Sequence, residues 1–415
     1  MQSLFRLLIA KIFKTGTLTI SFADGTSETF GDGTGKPLHV RFEDARGPLD
    51  LMRNPELAFG ELWTDGRLTI SDGSIFDLLA MASRNAVRGT PPSWLTAVRR
   101  VRDATQSLRP RNLRGRSRNN VAHHYDLDDR LYRLFLDPDR QYSCAYFETP
   151  NATLEQAQLA KKRHIAAKML LAPGQTVLDI GCGWGGMALY LARYCGSDVT
   201  GITLSTEQLA NATRRADEDG VADRVRFRLE DYRDTQGPFD RVVSVGMFEH
   251  VGLTFYDQYF ASVAKLLKPD GVALIHTIAR QDGPGTLNPW VTKYIFPGAH
   301  IPSLSQIAPA IERAGLFITD IETLHMHYAE TLAAWRRNFM ARRDEAKALY
   351  DERFCRMWEF YLAAAECAFR FEGECIFQFQ LSRSHTVVPM TRDYIVDAER
   401  RLRGLESRER SVLMA

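Results

Sequence analysis

The feature that most constrains this chain is the run from Val177 to Gly186, where an apolar segment leads into a glycine-dense turn and then into a helical pattern. Gly181, Gly183 and Gly185 allow the backbone to turn tightly and leave no Cβ between the main chain and a ligand. The helix that follows would point its free N–H groups at the same place. The run therefore predicts a nucleotide-binding turn, with an ordinary tight strand-to-helix connection as the alternative.

The spacing of these glycines argues against two well-known phosphate-binding loops. It differs from the dinucleotide pattern G-x-G-x-x-G, and it lacks the Lys-Ser or Lys-Thr pair with which a P-loop holds phosphate and Mg²⁺. The turn fits a ligand made of methionine and adenosine better than a pyrophosphate.

Strands and helices alternate after this turn as a doubly wound sheet requires. Segments with strand patterns follow at 198–204, 224–229, 239–245, 271–278 and 375–381. The last of these alternates apolar and polar residues and is expected to be an edge or antiparallel strand. We therefore predict an α/β fold: a doubly wound, seven-stranded, Rossmann-like methyltransferase core that binds S-adenosyl-L-methionine (SAM).

Polar side chains follow the next two predicted strands at their carboxyl ends, where open α/β sheets bind ligands. Thr203 and, one helical turn later, Gln208 offer a hydroxyl and an amide where many nucleotide sites place a carboxylate for the ribose. Glu230 and Asp231 could accept the amino hydrogens of adenine. These residues extend the predicted cofactor site.

Length, charge and cysteine content limit the remaining possibilities. A chain of 415 residues suggests two or three domains of roughly 100–200 residues each. The net charge of +2 gives no general nucleic-acid footprint, so we expect no nucleic-acid partner. The six cysteines lack paired disulfide or metal-ligand spacing, which favours a reducing compartment and predicts no metal site. No apolar run approaches the ~18 residues that indicate a membrane span.

Composition divides the chain into three segments. Short alternating stretches between residues 16 and 72, separated by Gly, Asp and Pro, predict that residues 1–95 form a small mixed, β-rich N-terminal interaction domain. Residues 96–120 form an arginine-rich linker, which either attracts anionic lipid or is a solvated connector. Residues 121–415 form the predicted catalytic domain. In it, the aromatic residues of 332–371 either line a helical insertion that binds substrate or simply pack between helices. The Gly- and Pro-rich stretch 281–305 could form a substrate mouth.

Residues 1–13 are apolar but are interrupted by Arg6 and Lys11, which argues against a signal peptide. One helical face would collect Leu4, Leu8, Ile9, Ile12 and Phe13. Such a face could rest on a membrane surface or pack on its own domain.

Five further motifs stand along the chain: His123–Leu127, Tyr142–Glu148, Met247–Gly252, His276–Ile278 and His327–Glu330. In this order they resemble the cyclopropane-fatty-acyl-phospholipid synthases and the mycolic acid cyclopropane synthases. The resemblance covers about the last three-quarters of the chain. The N-terminal domain resembles, more loosely, the lipid-engaging extension of the phospholipid-acting members.

The resemblance implies methylene transfer from SAM to the cis double bond of an unsaturated phospholipid acyl chain, which forms a cyclopropane. Methyl transfer to the alkene leaves a carbocation, and ring closure removes a proton from the methyl just delivered. The resembled synthases use a bound bicarbonate for that step. Its site is assigned by resemblance to Cys144, Glu249, His276, Ile278 through its backbone, and Tyr328. His and Tyr can donate hydrogen bonds to a small anion, Cys donates weakly, and Glu can accept from the anion or orient the histidine.

The resemblance also extends the SAM site on both sides of the glycine turn. The implied residues are Tyr142, Ser143, Asp179, Gly181, Gly183, Gly185, Thr203, Leu204, Gln208, Asp231 and Tyr232. Taken singly, a member of either set has a structural alternative: Cys144 could be a buried thiol, and His276 a satisfied core histidine.

One position departs from the family's pattern. Members often carry a cysteine four residues before the aromatic of the C-terminal A-F-R segment, where this chain has Ala365. Cys367 is nearby but about 200° around a helix, at ~100° per residue. No step above needs a thiolate, so Cys367 and Cys375 stay outside the predicted catalytic set.

We expect a cytoplasmic protein that associates peripherally with the inner face of the membrane, where unsaturated phospholipid is its partner. A homodimer is left open. The open alternatives in activity are an acyl C-methyltransferase without ring closure, a small-molecule N-methyltransferase, and a non-catalytic protein that binds lipid or cofactor.

Overall fold

The computed structural model describes residues 2–88 and 128–413, without the side chains of 410–413. The described residues form two compact units that interleave along the sequence. The first unit holds those within Met1–Leu108, Thr286–Pro297 and Tyr328–Glu374, and the second those within Arg109–Gly285, Gly298–His327 and Cys375–Ala415. The segment bounds 1–95, 96–120 and 121–415 follow chain order and stay a prediction.

Two predicted features lie outside the described residues. They are the arginine-rich linker 96–120 and the motif His123–Leu127. Both stay predictions from the sequence.

Regular structure covers most of the described residues. The strands are β1 (Leu18–Ser21), β2 (Ser27–Phe30), β3 (Leu38–Phe42), β4 (Leu68–Asp72), β5 (Thr176–Ile180), β6 (Asp198–Thr203), β7 (Val225–Leu229), β8 (Phe239–Val245), β9 (Leu267–Arg280), β10 (Phe317–Leu324) and β11 (Glu374–Ser382). The helices are α1 (Gln2–Ile12), α2 (Gly47–Arg53), α3 (Pro55–Thr64), α4 (Ile75–Arg88), α5 (Asp129–Phe135), α6 (Leu154–Lys168), α7 (Gly186–Cys195), α8 (Thr206–Glu218), α9 (Tyr256–Leu266), α10 (Pro289–Tyr294), α11 (Leu304–Arg313), α12 (His325–Ala341), α13 (Arg343–Leu349), α14 (Glu352–Phe371) and α15 (Asp393–Leu413). Short 3₁₀ turns at Phe248–His250 and Leu253–Phe255 precede α9.

The first unit contains a four-stranded sheet of order β2-β1-β3-β4. β1 pairs antiparallel with β2 and parallel with β3, and β3 pairs antiparallel with β4. The ring of Phe5, from α1, packs edge-on against Phe22 and Phe42, which stack on each other. The expectation of a small, mixed N-terminal sheet domain is confirmed.

The apolar face of α1 differs from the predicted one. Phe5 and Phe13 turn inward and are buried, whereas Leu4 and Leu7 are 55% and 62% exposed. The helix therefore packs on its own domain through one side and exposes two leucines on the other.

The N-terminal helices pack with the helices of residues 328–374 in this same unit. The indole Nε1 of Trp63 donates to the carbonyl oxygen of Arg356 at 3.0 Å. The hydroxyl of Ser83 donates to Glu372 Oε1 at 3.0 Å. Segments far apart in sequence thus form one packed body.

The second unit contains a seven-stranded sheet of order β10-β11-β9-β8-β5-β6-β7. The pairs β9·β8, β8·β5, β5·β6 and β6·β7 are parallel, and β10·β11 is antiparallel. The predicted α/β fold class is confirmed. Of the two alternatives predicted for β11, the antiparallel one is confirmed by its pairing with β10, and β10 rather than β11 forms the edge of the sheet. The polar sequence of β10, Phe317–Leu324, gave no strand signal, since this strand lies at the edge and is largely half-exposed.

Both faces of this sheet are covered by apolar residues that alternate along the strands. Leu178, Val242 and Ile275 belong to one buried cluster, whereas Val177 and Val243 belong to another. Because successive side chains of a strand point to opposite faces, neighbouring residues enter opposite layers. The carboxyl ends of the parallel strands are left as one edge at which polar residues collect.

No helix in the two described stretches of the chain is long and apolar enough to cross a membrane. The stretch 281–305, predicted as a substrate mouth, contains the short helix α10. It is therefore more ordered than its Gly and Pro content indicated.

Candidate active site

The glycine turn between β5 and α7 adopts a backbone that only glycine takes readily. Gly181 and Gly185 have φ angles of 79° and 86°. A Cβ on Gly181 would lie 2.9 Å from Met247 Cγ, and one on Gly185 would lie 2.7 Å from Phe227 Cζ. Gly183 also has positive φ, at 55°, but has no atom of another residue within 4 Å of a built Cβ. Packing therefore requires glycine at positions 181 and 185, whereas at position 183 only the backbone conformation favours it. The open space beside Gly183 suits a ligand.

Asp179, two residues before Gly181, is buried and supplies a carboxylate to this turn. Its Oδ2 has no hydrogen-bond partner among the described residues. Burial raises the pKa of this carboxyl to about 7, and the nearby Lys161 opposes the shift. An unsatisfied buried carboxyl oxygen is costly unless a ligand pairs with it. This orphaned acceptor fits the ammonium group of a bound SAM.

Of the two predicted residues before the core, Ser143 is held by helix α6, whereas the ring of Tyr142 packs against Tyr132 of α5 with centroids 5.5 Å apart. Lys161 Nζ donates to Ser143 Oγ at 2.8 Å, and Gln158 Nε2 donates to the Ser143 carbonyl at 2.9 Å. Lys161 is fully buried, and burial lowers its pKa to about 8. Sequence reasoning missed Lys161, because the run of basic residues in which it stands is typical of a solvated helix face.

The two polar groups predicted after β6 are joined to each other. Thr203 Oγ1 donates to Gln208 Oε1 at 2.8 Å, and Ser205 caps helix α8. Leu204 is half-buried between them in sequence. This hydrogen bond fixes the amide of Gln208 at the carboxyl end of β6, and its contact with the cofactor stays a prediction.

The residues predicted to contact adenine, Asp231 and Tyr232, are already engaged within the protein. The carboxylate of Asp231 accepts from Arg233 Nε at 2.8 Å and from its Nη2 at 2.5 Å. The ring of Tyr232 packs edge-on against Tyr259, with centroids 5.3 Å apart. An adenine amino group would therefore share the Asp231 carboxylate with Arg233.

Two members of the predicted bicarbonate site contact each other directly. Glu249 lies in the 3₁₀ turn after β8, and its Oε1 accepts a hydrogen bond from the Ile278 backbone N–H at 2.5 Å. Burial raises the pKa of Glu249 to about 7, and the Ile278 N–H opposes the shift. The backbone donor assigned to the anion by resemblance is thus taken by Glu249 in this structure.

His276 lies two residues before Ile278 on β9 and therefore on the same face of the strand. It is 1% exposed. Its Nδ1 lies 3.1 Å from Gln378 Nε2, and its Nε2 has no hydrogen-bond partner among the described residues. Burial, followed by the charges of Lys161 and Lys168, holds the pKa of His276 well below its usual range. It is therefore a neutral imidazole with one nitrogen left for a ligand.

The remaining two members of the predicted set are buried in different units. Cys144 lies in the second unit, where its Sγ is 3.2 Å from the Ala145 carbonyl oxygen. Tyr328 belongs to the first unit, and its ring packs against Phe369 with centroids 4.7 Å apart. The grouping of all five residues stays a prediction.

The cysteines left out of the catalytic set have no reactive environment. Burial raises the pKa of Cys367 to about 12, and Cys375 is fully buried in β11. A thiolate nucleophile at Cys367 is therefore disfavoured at neutral pH.

Comparison with known proteins identifies the family of the chain. Residues 113–379 match the family model described as mycolic acid cyclopropane synthetase. The chain belongs to that family. The resemblance seen in the sequence is therefore confirmed. Residues 4–89 match a second model, described as a domain of unknown function.

Two relatives and one solved structure illustrate the match. The chain is 45% identical over 260 residues to the cyclopropane-fatty-acyl-phospholipid synthase of Escherichia coli strain K12, over 63% of this chain and 66% of that protein. It is 34% identical over 391 residues to the tuberculostearic acid methyltransferase UfaA1 of Mycobacterium tuberculosis, over 88% of each. The crystal structure of mycolic acid cyclopropane synthase CmaA1 complexed with SAH and CTAB matches with a TM-score of 0.61 and 34% identity, over 64% of this chain and 97% of that one.

Proposed function

We propose that this chain transfers a methylene from SAM to the cis double bond of an unsaturated phospholipid acyl chain and so forms a cyclopropane fatty acid. Family membership supports the enzyme class. The single observation that carries the chemistry is a pair of unused buried polar atoms, Asp179 Oδ2 beside the glycine turn and His276 Nε2 on β9. Each needs a ligand to complete its hydrogen bonding.

The donor side of the reaction rests on the glycine turn and its neighbours. Bound SAM would supply an electrophilic methyl: the alkene forms the new C–C bond as the S–C bond breaks, and the positive charge moves to the acyl chain. Asp179 would pair with the ammonium group of the donor, and Gly183 leaves room for close approach. Lys161 would hold Ser143 against the same site.

The proton-removal side rests on Glu249 and His276. Closing the ring breaks a C–H bond of the delivered methyl and gives the proton to a base. A bicarbonate could accept a hydrogen bond from His276 Nε2 and donate its own proton to Glu249 Oε2, and neither atom has a hydrogen-bond partner among the described residues. Burial of both side chains keeps water from competing for the cation. Cys144 and Tyr328 complete the proposed site by resemblance.

The lipid would be reached from the membrane surface. Leu4 and Leu7 of α1 are exposed, with Lys11 and Lys14 on the same short segment. Apolar side chains flanked by cations suit the anionic surface of a membrane. We propose peripheral association on this basis. The helices of 332–371 are the proposed acyl-binding insertion.

A second candidate is acyl C-methylation without ring closure. The relative that matches over 88% of each chain is named a tuberculostearic acid methyltransferase. The same cation can lose a proton from a neighbouring chain carbon instead of from the new methyl, so both products need the same donor site. A small-molecule N-methyltransferase is less well supported, because the coclaurine N-methyltransferase structure is 19% identical and shares the fold alone.

The test is expression in a host that lacks the activity, fed with methionine labelled in its methyl group, followed by mass spectrometry of the lipid acyl chains. Cyclopropanation gives a labelled chain without an alkene, whereas methylation gives a labelled chain that retains an alkene until it is reduced. Unchanged lipids together with a folded, SAM-binding protein would contradict both. The Glu249→Gln variant serves as the matched inactive control.

A further inference from the structure

A buried glutamine links His276 to a buried lysine in the second unit. Gln378 lies on β11, which is hydrogen-bonded to the β9 strand of His276, and its side chain is 1% exposed. Lys168 Nζ donates to Gln378 Oε1 at 2.9 Å. Gln378 Nε2 lies 3.1 Å from His276 Nδ1. The amide therefore bridges the ammonium and the imidazole.

The chemistry of the three groups allows only one orientation of this bridge. An ammonium has donors and no acceptor, so Lys168 must face the carbonyl oxygen of the Gln378 amide. The amide NH₂ then faces His276, and an NH₂ group can only donate. Nδ1 of His276 must accept, which leaves the ring proton on Nε2.

Lys168 is itself held in place by a second set of contacts. Its ammonium pairs with Glu322, and its backbone carbonyl accepts from Gln380 Nε2 at 2.5 Å. Glu322 Oε2 also lies 2.7 Å from His164 Nε2, whose other nitrogen is 2.6 Å from Glu399. The Lys168 ammonium that orients Gln378 is therefore fixed by its charge pairing with Glu322.

We propose that Lys168 and Gln378 are positioning residues that hold His276 as the neutral tautomer protonated at Nε2, so that it presents a hydrogen-bond donor to an oxyanion. This deepens the proposed function and rests on it where the oxyanion is bicarbonate. His276 in this state cannot take up the methyl proton, because its only basic lone pair is occupied by Gln378. Between His276 and the anion that it holds, the proton therefore goes to the anion.

The direct test is nitrogen NMR of the full-length protein labelled with ¹⁵N-histidine and prepared without a histidine tag. Among the signals of the ten histidines, the pair that belongs to His276 is identified by its loss in His276→Gln. We expect a bare Nδ1 and a protonated Nε2 at neutral pH. A proton on Nδ1, or a doubly protonated ring, would overturn the proposal.

Two substitutions at one position test the coupling. Gln378→Glu keeps the size of the side chain but puts an acceptor against Nδ1, so the proton should move to Nδ1. We expect kcat to fall by about 10²–10³-fold, as for removal of one oxyanion donor, while KM for lipid vesicles stays within a few-fold. Gln378→Met should leave the tautomer unspecified and lower kcat less.

Gln380→Met is the matched control, because Gln380 is equally buried on the same strand but donates to the Lys168 carbonyl and to Tyr394. It should lower stability without moving the His276 proton. If Gln378→Glu and Gln380→Met give the same tautomer and the same kcat, the proposal fails. If the wild-type enzyme forms the lipid product but carries the His276 proton on Nδ1, the proposed tautomer is wrong and the proposed function stands. If His276 carries its proton on Nε2 but no lipid product forms, the proposed function is wrong and the tautomer stands.

Discussion

The carboxylate oxygen Oε1 of Glu249 accepts the backbone N–H of Ile278 at 2.5 Å, which joins the turn after β8 to strand β9. This contact fixes Oε1 of the carboxyl. The other oxygen, Oε2, is buried and has no hydrogen-bond partner among the described residues. A side chain so restrained can serve a bound anion without first being reorganised.

Replacing Glu249 by Gln should lower kcat by about 10²–10⁴-fold, the range for loss of a positioned acid–base group. The Ile278 N–H can still donate to the amide oxygen, so folding and SAM affinity should be kept. Turnover on unsaturated phospholipid vesicles and calorimetric titration with SAM measure the two quantities. If turnover and SAM affinity fall by the same factor, Glu249 acts in folding or in cofactor binding and not in the chemical step.

Glu249 should also make stability depend on pH. Its pKa is raised to about 7 by burial, so the folded protein holds this proton more tightly than the unfolded chain does. Its contribution to the free energy of unfolding is present below the unfolded value and declines as pH rises towards the folded pKa. Urea unfolding of wild type and Glu249→Gln at several pH values should show a smaller decline in the variant.

Affinity for SAM should rise with pH through the pKa of Asp179. Burial raises this pKa to about 7, and pairing with an ammonium group requires the ionised form. Asp179→Asn should flatten the pH dependence and weaken binding by about 10–100-fold, from a loss of roughly 1.5–3 kcal/mol for a charged hydrogen bond. Titration calorimetry of wild type and variant with SAM, at pH values on either side of 7, measures this dependence. An unchanged pH profile in the variant would remove Asp179 from the cofactor site.

The glycine turn offers a matched pair of substitutions. Gly183→Ala and Gly185→Ala each place a Cβ at positive φ, at a cost of about 1–2 kcal/mol. Only Gly185→Ala also collides with a ring, that of Phe227, at 2.7 Å. We expect Gly185→Ala to be the less stable variant in urea unfolding. Gly183→Ala should stay better folded and lose SAM affinity, because its new methyl faces the ligand side of the turn.

His164 should stabilise the protein most at low pH. Burial opposes its charge, but hydrogen bonds with Glu322 and Glu399 outweigh burial and raise its pKa. A raised histidine pKa gives stability that is fully present below the unfolded value and is lost as pH rises through the folded value. His164→Gln should therefore lose more stability at pH 6 than at higher pH. A loss that is equal at both would show that His164 is neutral in the folded protein.

The glycine turn and the parallel strands were predictable because their signals are local. Closely spaced glycines, apolar runs of strand length and the alternation of apolar with polar residues can each be recognised within a few residues. Strands β5 to β9 were therefore predicted close to their observed bounds. Strand β10 was missed, since a half-exposed edge strand with Asp320 and Glu322 lacks an apolar pattern. The antiparallel direction of β11 was predicted, but its inner position was not, because β10 was missed.

The buried cations of helix α6 were not predictable. Lys161 and Lys168 stand in a sequence with the composition of an exposed helix, yet both are among the largest fully buried side chains. Their partners, Ser143, Gln378 and Glu322, come from other elements. Burial of a lysine becomes tolerable only when such partners surround it, which no local pattern records.

The sequence by itself determined the fold class, the glycine turn and the family, because these depend on backbone preferences and on residue types in a fixed order. Only the tertiary structure decided the protonation state of His276, which depends on Gln378 and Lys168 from distant parts of the chain. Hydrogen-bond polarity and desolvation are properties of assembled neighbours, so they exist only once strands β9 and β11 and helix α6 have packed together.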